Sequence, residues 1–239
     1  ACVGLLLGVL TLSGLGFKFS GAVLELANAM AGAVVAIDFT GLVSEHGAKV
    51  FFGLLFVAIA CILMGTGIPT TPTYIILASI AAPALALLDV PLIATHFFVF
   101  YFGVLADVTP PVALAAYAAA GIAGSEPMRT GFTAFRLSMG KALVPFMFVY
   151  APSLLLLDFS WREFIEAMLS GMLGITALSA AYTGWFRASI GYPAMALLTV
   201  GGIALIFNDW RAELIGAVIV LAVLAENELR GRRLERAAA

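Results

Sequence analysis

Five threonines and one aspartate are the residues of this chain whose types and spacing can do chemistry. Thr66, Thr70, Thr71 and Thr73 fall inside GTGIPTTPTY, and Thr109 stands beside Asp107 in DVTPP. Hydroxyls and backbone carbonyls together replace the water shell of a hard cation such as sodium, and no histidine or cysteine intrudes on either string. Glycine and proline cannot carry a helix through these strings, so backbone oxygens are released from helical bonding. Gly65, Gly67, Thr70, Val108 and Thr109 are therefore the candidate sodium ligands. Half-helices that restart beyond a break point positive N-termini at the same place and favour an anionic group. Asp107 reads two ways: an ionisable group on an ion or proton path, or a cap for a half-helix starting at Pro110. Either break alone also reads as a structural kink; two breaks so close in sequence favour a site.

The elements that must position these residues are apolar and helical. GLLFVAIACILM before the first break and IILASIAAPALALL after it are each too short to cross the roughly 30 Å hydrocarbon core comfortably alone. They read as a re-entrant hairpin over residues 50–88 with a polar tip, closed by the turn Asp89–Pro91. Freed backbone at membrane depth is tolerated where protein or a water-filled cavity satisfies it, so such a tip lines a site. Residues 94–123 are long enough to span, but Pro110 and Pro111 open the helix around Val108 and Thr109, giving a discontinuous helix. A hairpin tip and a broken helix are the parts from which secondary transporters build midplane sites.

Composition places these elements in a membrane. Of 239 residues, 63% are hydrophobic and 11% charged, with mean hydropathy +1.10, against about 45–50% apolar and 25% charged in a soluble globule. Long apolar runs indicate helices rather than a barrel, so the fold class is an all-α integral membrane protein. A net charge of −2 leaves no footprint for nucleic acid. The apolar sequence at Ala1 lacks the leader of a signal peptide and reads as the back part of a longer chain. Cys2 and Cys61 lie in apolar stretches without ligand spacing and read as packing residues.

Along the chain, residues 1–27 form a first helical unit interrupted by GLG at Gly14–Gly16. Its Lys18 and Glu25 share a face, as an ion pair or as snorkelling side chains, with a transport role as the alternative. Asn28–Lys49, with Asp38, Glu45, His46 and Lys49, reads as an interfacial connection; His46 has no partner at metal-ligand spacing. His96 with Phe97, Phe98, Phe100, Tyr101 and Phe102 reads as an aromatic belt. Gly124–Lys141 reads as an interfacial amphipathic segment, followed by spans near 143–157, 164–186, 192–207 and 214–224. With these four spans alternating, Arg129, Arg136, Lys141, Arg187, Arg230, Arg232, Arg233 and Arg236 fall on one side and Arg162 and Arg211 on the other. Eight against two places the C-terminus in the cytoplasm, with RGRRLER as a solvated topology anchor or, as the alternative, a contact for anionic membrane lipid.

GTGIPTTPTYIILASIAAPAL, THFFVFYFGVLADVTPPVALAAYAAAGIAG, PMRTGFTAFRL and VPFMFVYAPSLLL resemble the large membrane subunit of the tripartite ATP-independent periplasmic (TRAP) transporters, in the fused-permease branch served by TAXI-type binding proteins. The resemblance covers roughly residues 50–157, with a weaker match in TLSGLGFKFS. It implies a bacterial inner-membrane, elevator-type symporter built from two inverted repeats, in which sodium drives import of an organic anion, often a carboxylate, delivered by a periplasmic binding protein. Residues 1–157 would be the second repeat and residues 158–239 an extra transmembrane domain. Gly65, Thr66, Gly67, Pro69, Thr70, Thr71, Asp107, Val108, Thr109 and Pro110 would line one sodium site and half of the substrate site. The first repeat and the small subunit would be partners, and no cofactor beyond the coupling ion is implied. The family usually reads GMG where Gly65, Thr66 and Gly67 stand, and YNP where Tyr150, Ala151 and Pro152 stand. Thr66 adds a hydroxyl at the site and Ala151 removes a polar group. The alternatives are a non-transporting assembly or channel component and a membrane enzyme. The enzyme reading has no nucleophile with its base and no metal cluster behind it.

Overall fold

In the computed structural model, residues 2–37, 44–207 and 210–238 are described, and among them every regular element is helical. The chain divides into two compact units, Ala1–Phe132 and Thr133–Ala239.

The first unit begins with α1 (Cys2–Leu12) and α2 (Leu15–Ile37), broken by Gly14 at φ +64°, a conformation glycine adopts without strain. The first helical unit does not stop near Ala27 as the mixed composition suggested. AGAVVAI is helix-compatible throughout, and α2 carries on to Ile37. Lys18 and Glu25 are both exposed, and no ion pair joins them among the described residues. The expectation for Asp38 lies outside the described residues, as does the side chain of Cys2.

Helix α3 (Glu45–Gly65) starts five residues earlier than the expected hairpin arm. Ser44 explains the start: its side chain accepts from the Gly47 N–H at 3.0 Å, satisfying an orphan donor of the first turn. Lys49 then pairs with Glu45 one turn back at 2.7 Å. At 21 residues, α3 is long and apolar enough to cross a membrane, which corrects the reading of both hairpin arms as short; α4 (Thr70–Ala86), at 17 residues, is short. Leu54, Val57, Ala58 and Cys61 recur at helical spacing on the buried face of α3. Leu77, Ile80, Ala81 and Ala84 do so on α4. The chain turns at Asp89 (φ +59°) into α5 (Leu92–Leu105), whose Ala94, Phe98, Val99, Phe102 and Leu105 complete this core. A Cβ on Gly16 would lie 3.2 Å from the Ser79 carbonyl, so α2 meets α4 nearly backbone to backbone. The last complete helix of the unit is α6 (Leu114–Ala123), closed by Gly124 at φ +65°.

Helix α7 (Pro127–Ser138), a 3₁₀ turn (Met139–Ala142) and α8 (Leu143–Tyr150) form one helical stretch of 24 residues, apolar enough to span. The amphipathic segment therefore continues into a span rather than ending outside it. Helices α9 (Trp161–Thr183), α10 (Tyr192–Ala204) and α11 (Trp210–Ala238) occupy the stretches expected as spans at 164–186, 192–207 and 214–224; of the three, α9 is long and apolar enough to cross a membrane, and α10 is a shorter apolar helix. The second unit packs through small residues. A Cβ on Gly216 would come within 2.8 Å of the Gly201 carbonyl, so α10 and α11 cross at a contact that only glycine permits. Ala177, Ala181, Leu198, Leu205, Val220 and Leu224 fill the space around it. The buried Asn227 amide of α11 holds the α9–α10 connection: its Oδ1 accepts from the Arg187 and Ala188 N–H groups at 3.0 and 3.1 Å, and its Nδ2 donates to the Ala188 carbonyl at 3.1 Å. The basic tail continues α11 as helix, with Arg232 paired to Glu228 at 3.1 Å.

Candidate functional site

The two predicted breaks are present, and the first unit packs them against each other. Helix α3 ends at Gly65. Thr66 turns extended (φ −65°, ψ 125°), Gly67 takes φ +78°, and α4 restarts at Thr70 after Pro69. Gly67 adopts the left-handed conformation that a side chain would strain, which is what the reversal at the tip demands. Thr73 ties the tip down from within α4: its hydroxyl donates to the Ile68 carbonyl at 3.1 Å and its N–H to the Pro69 carbonyl at 3.1 Å. Among the described residues no donor reaches the Gly67 carbonyl.

In the second break, α5 ends at Leu105, a 3₁₀ turn covers Ala106–Val108, and Thr109 is extended. The Pro110–Pro111 peptide is cis, and α6 begins at Leu114 behind Ala113, at φ +34°. Thr109 is buried. Its hydroxyl donates to the Leu105 carbonyl at 2.8 Å, and its own carbonyl accepts from the Ala113 N–H at 3.1 Å. Tyr117 stabilises the far side by donating to the Pro111 carbonyl at 2.6 Å. Gly131 sits over this corner with no room for a side chain, since a Cβ would meet the Tyr117 ring at 2.9 Å and Ala113 at 3.3 Å.

The juxtaposition rests on absent side chains. A Cβ at Gly65 would lie 2.9 Å from the Ala106 Cβ, 3.1 Å from the Gly103 carbonyl and 3.2 Å from the Thr73 methyl. A Cβ at Gly67 would contact the Val112 side chain at 3.7 Å. The end of α3 thus lies directly on the last turn of α5 and its 3₁₀ extension, and the tip lies beside the residues following Thr109.

The predicted site residues divide by their present engagements. Gly65 and Thr109 are buried in the contact region. Gly67, Pro69, Thr70 and Thr71 are exposed at the tip, and Val108, Asp107 and Pro110 are partly exposed. The Thr66 hydroxyl is turned back to the Leu63 carbonyl at 2.9 Å, so the hydroxyl that departs from the family pattern is occupied locally. Asp107 is not the cap of the following half-helix. That helix starts at Leu114, not Pro110, and its N-cap residue is Ala113, with no side-chain bond. The carboxylate of Asp107 is left half-buried beside the break. No group of three His, Cys, Asp or Glu side chains capable of holding a metal occurs among the described residues.

Sequence reasoning missed one pair. The Tyr74 hydroxyl and His96 Nδ1 are 2.9 Å apart, and with Phe97 and Phe100 they line an open groove of about 200 Å³. His96 is therefore tied to the hairpin three residues past Thr71 rather than being only a belt residue. The aromatic cluster was visible in the sequence, but nothing in it links positions 22 apart on two helices.

Residues 1–162 match the family model described as Tripartite ATP-independent periplasmic transporter, DctM component. No curated protein and no solved structure matches the chain. Among the described residues, four helical stretches are long and apolar enough to cross a membrane. Permeases of this family are integral inner-membrane proteins that work with a periplasmic binding protein and a small membrane subunit. With two thirds of its length matched and both breaks inside the matched part, the chain belongs to the DctM family of TRAP transporter membrane permeases.

Proposed function

We propose that residues 1–157 act as the second inverted repeat of a sodium-coupled, elevator-type TRAP symporter, and that the two facing breaks form one sodium site and half of the substrate site. The observation that carries this reading is the Gly65 contact with Gly103 and Ala106, which brings the hairpin tip onto the unwound helix. Oxygens of Gly65, Gly67, Thr70, Val108 and Thr109 supply the ligands, as suits a hard cation with no soft donor nearby. The imported solute is an organic anion, a carboxylate, delivered by a TAXI-type periplasmic protein. Its charge meets the N-termini of the restarted half-helices, because no Lys or Arg lies within either break. Residues 158–239 form an additional membrane domain.

The test is a melting titration of the detergent-purified transporter with sodium against potassium at constant ionic strength. A ligand bound only to the native state must raise the midpoint saturably. Sodium alone should do so, and Thr109→Val should shift the response to higher sodium while leaving the sodium-free midpoint within a few degrees. Identical curves for the two salts would overturn sodium coupling and leave proton coupling through Asp107, or no coupling, as the better reading.

A further inference from the structure

The hairpin tip is anchored at a buried residue, Thr73, in the first turn of α4. Thr73 is 1% exposed, and each part of it is engaged. Its hydroxyl donates to the Ile68 carbonyl at 3.1 Å, and its N–H to the Pro69 carbonyl at 3.1 Å. Its methyl fills the space between helices: a Cβ on Gly65 would lie 3.2 Å from it, and one on Gly103 3.4 Å. One residue thus touches the end of α3, the last turn of α5 and the non-helical backbone of the tip.

The tip needs a side-chain donor because its sequence is short of backbone ones. Pro69 and Pro72 carry no N–H, and the Thr66 hydroxyl is spent on the Leu63 carbonyl at 2.9 Å. It also needs an anchor, because Gly67, at φ +78°, has the widest conformational freedom of any residue in the tip. By holding the Ile68 and Pro69 carbonyls, Thr73 fixes the two peptide planes that follow Gly67 and so restricts its rotation. The Gly67 carbonyl itself receives no donor among the described residues and stays available to a ligand. The Thr73 hydroxyl has one proton, and Ile68 takes it.

We propose that Thr73 is a positioning residue of the tip-and-break site: its hydroxyl pins the Ile68 peptide so that the Gly67 carbonyl is held ready for the ion, while its methyl sets the packing of α3 on α5. The two halves of the side chain therefore do separate work, one on ion affinity and one on stability. An oxygen already held in place needs no ordering when the ion arrives, whereas a tip free to rotate must be ordered at the cost of affinity. This inference rests on the sodium reading of the site.

Thr73→Ser and Thr73→Ala both remove the methyl and differ by the hydroxyl alone, so comparing them isolates the bond to Ile68. Melting of the detergent-purified transporter is titrated with sodium chloride against choline chloride at fixed ionic strength, for the unsubstituted protein and both variants. Both variants should lower the sodium-free midpoint by a few degrees through lost packing. Thr73→Ser should keep the sodium concentration of half-maximal shift within about twofold of the unsubstituted protein. Thr73→Ala should raise it about threefold or more, in line with the net worth of one hydrogen bond. Thr73→Val, which keeps the volume and loses the hydroxyl, should raise it likewise and carries the test should the alanine variant fold poorly. Serine and alanine variants with the same half-saturation, whether unchanged or both raised, would overturn the proposal and leave the sodium reading standing. No sodium response in the unsubstituted protein would overturn the sodium reading and this proposal with it.

Discussion

Replacing Gly65 by alanine is the sharpest test of the packing that joins the two breaks. The added methyl would stand 2.9 Å from the Ala106 Cβ and 3.1 Å from the Gly103 carbonyl, with the Thr73 methyl at 3.2 Å. None of these is the far end of a flexible chain: one is backbone, and the others are short side chains fixed to helices. Overpacking of this kind costs about 1–3 kcal/mol. Alanine recovers up to about 1 kcal/mol of helix propensity in a helix interior, and less at the terminal position Gly65 occupies. The expected net loss is about 1–2 kcal/mol, or a fall of about 2–8 °C in melting midpoint for a chain of this length. Gly21→Ala is the control. It lies within α2, where a Cβ meets nothing within 4 Å, and should gain about 0.5–1 kcal/mol through the same change of residue. The assay is tryptophan or light-scattering melting of both variants in one detergent. If Gly65→Ala melts at or above the unsubstituted chain, the close approach of α3 to α5 is not what holds the tip in place.

Two other outcomes follow from the second unit. Asn227→Ala removes the acceptor of two buried N–H groups and the donor to Ala188, and should destabilise the chain by about 2–4 kcal/mol, read by melting; Asn227→Asp, which keeps the acceptor, should cost less. A reporter fused after Ala239 that matures only in the cytoplasm should be active, because Arg230, Arg232, Arg233 and Arg236 follow the last apolar segment; activity of a periplasm-only reporter there would reverse the proposed orientation.

Much of this was legible without coordinates because it depends on local chemistry. Glycine and proline disfavour helix, so the interruptions at Gly14, at Gly65–Pro69 and at Val108–Pro111 could be read from residue type, although Gly201 and Gly202 stay inside α10 and Pro83 inside α4. Composition likewise dictated an all-helical membrane fold, since 63% hydrophobic residues in long runs leave the backbone no other way to bond in lipid. Where helices run on through mixed sequence, local reading failed. Ser44 starts α3 before the apolar run, AGAVVAI extends α2, and the amphipathic Pro127–Ser138 continues into α8. In each case capping and continuity outweighed composition.

Only tertiary packing decided what the breaks do for one another. That Gly65 lies on Ala106, that the Thr109 hydroxyl is spent on Leu105, and that Asp107 caps nothing are facts about which atoms meet. So is the bond between Tyr74 and His96. Residue type determines where a helix must stop. Which surfaces then come within reach depends on the summed packing of several helices, and no single stretch of sequence encodes that sum.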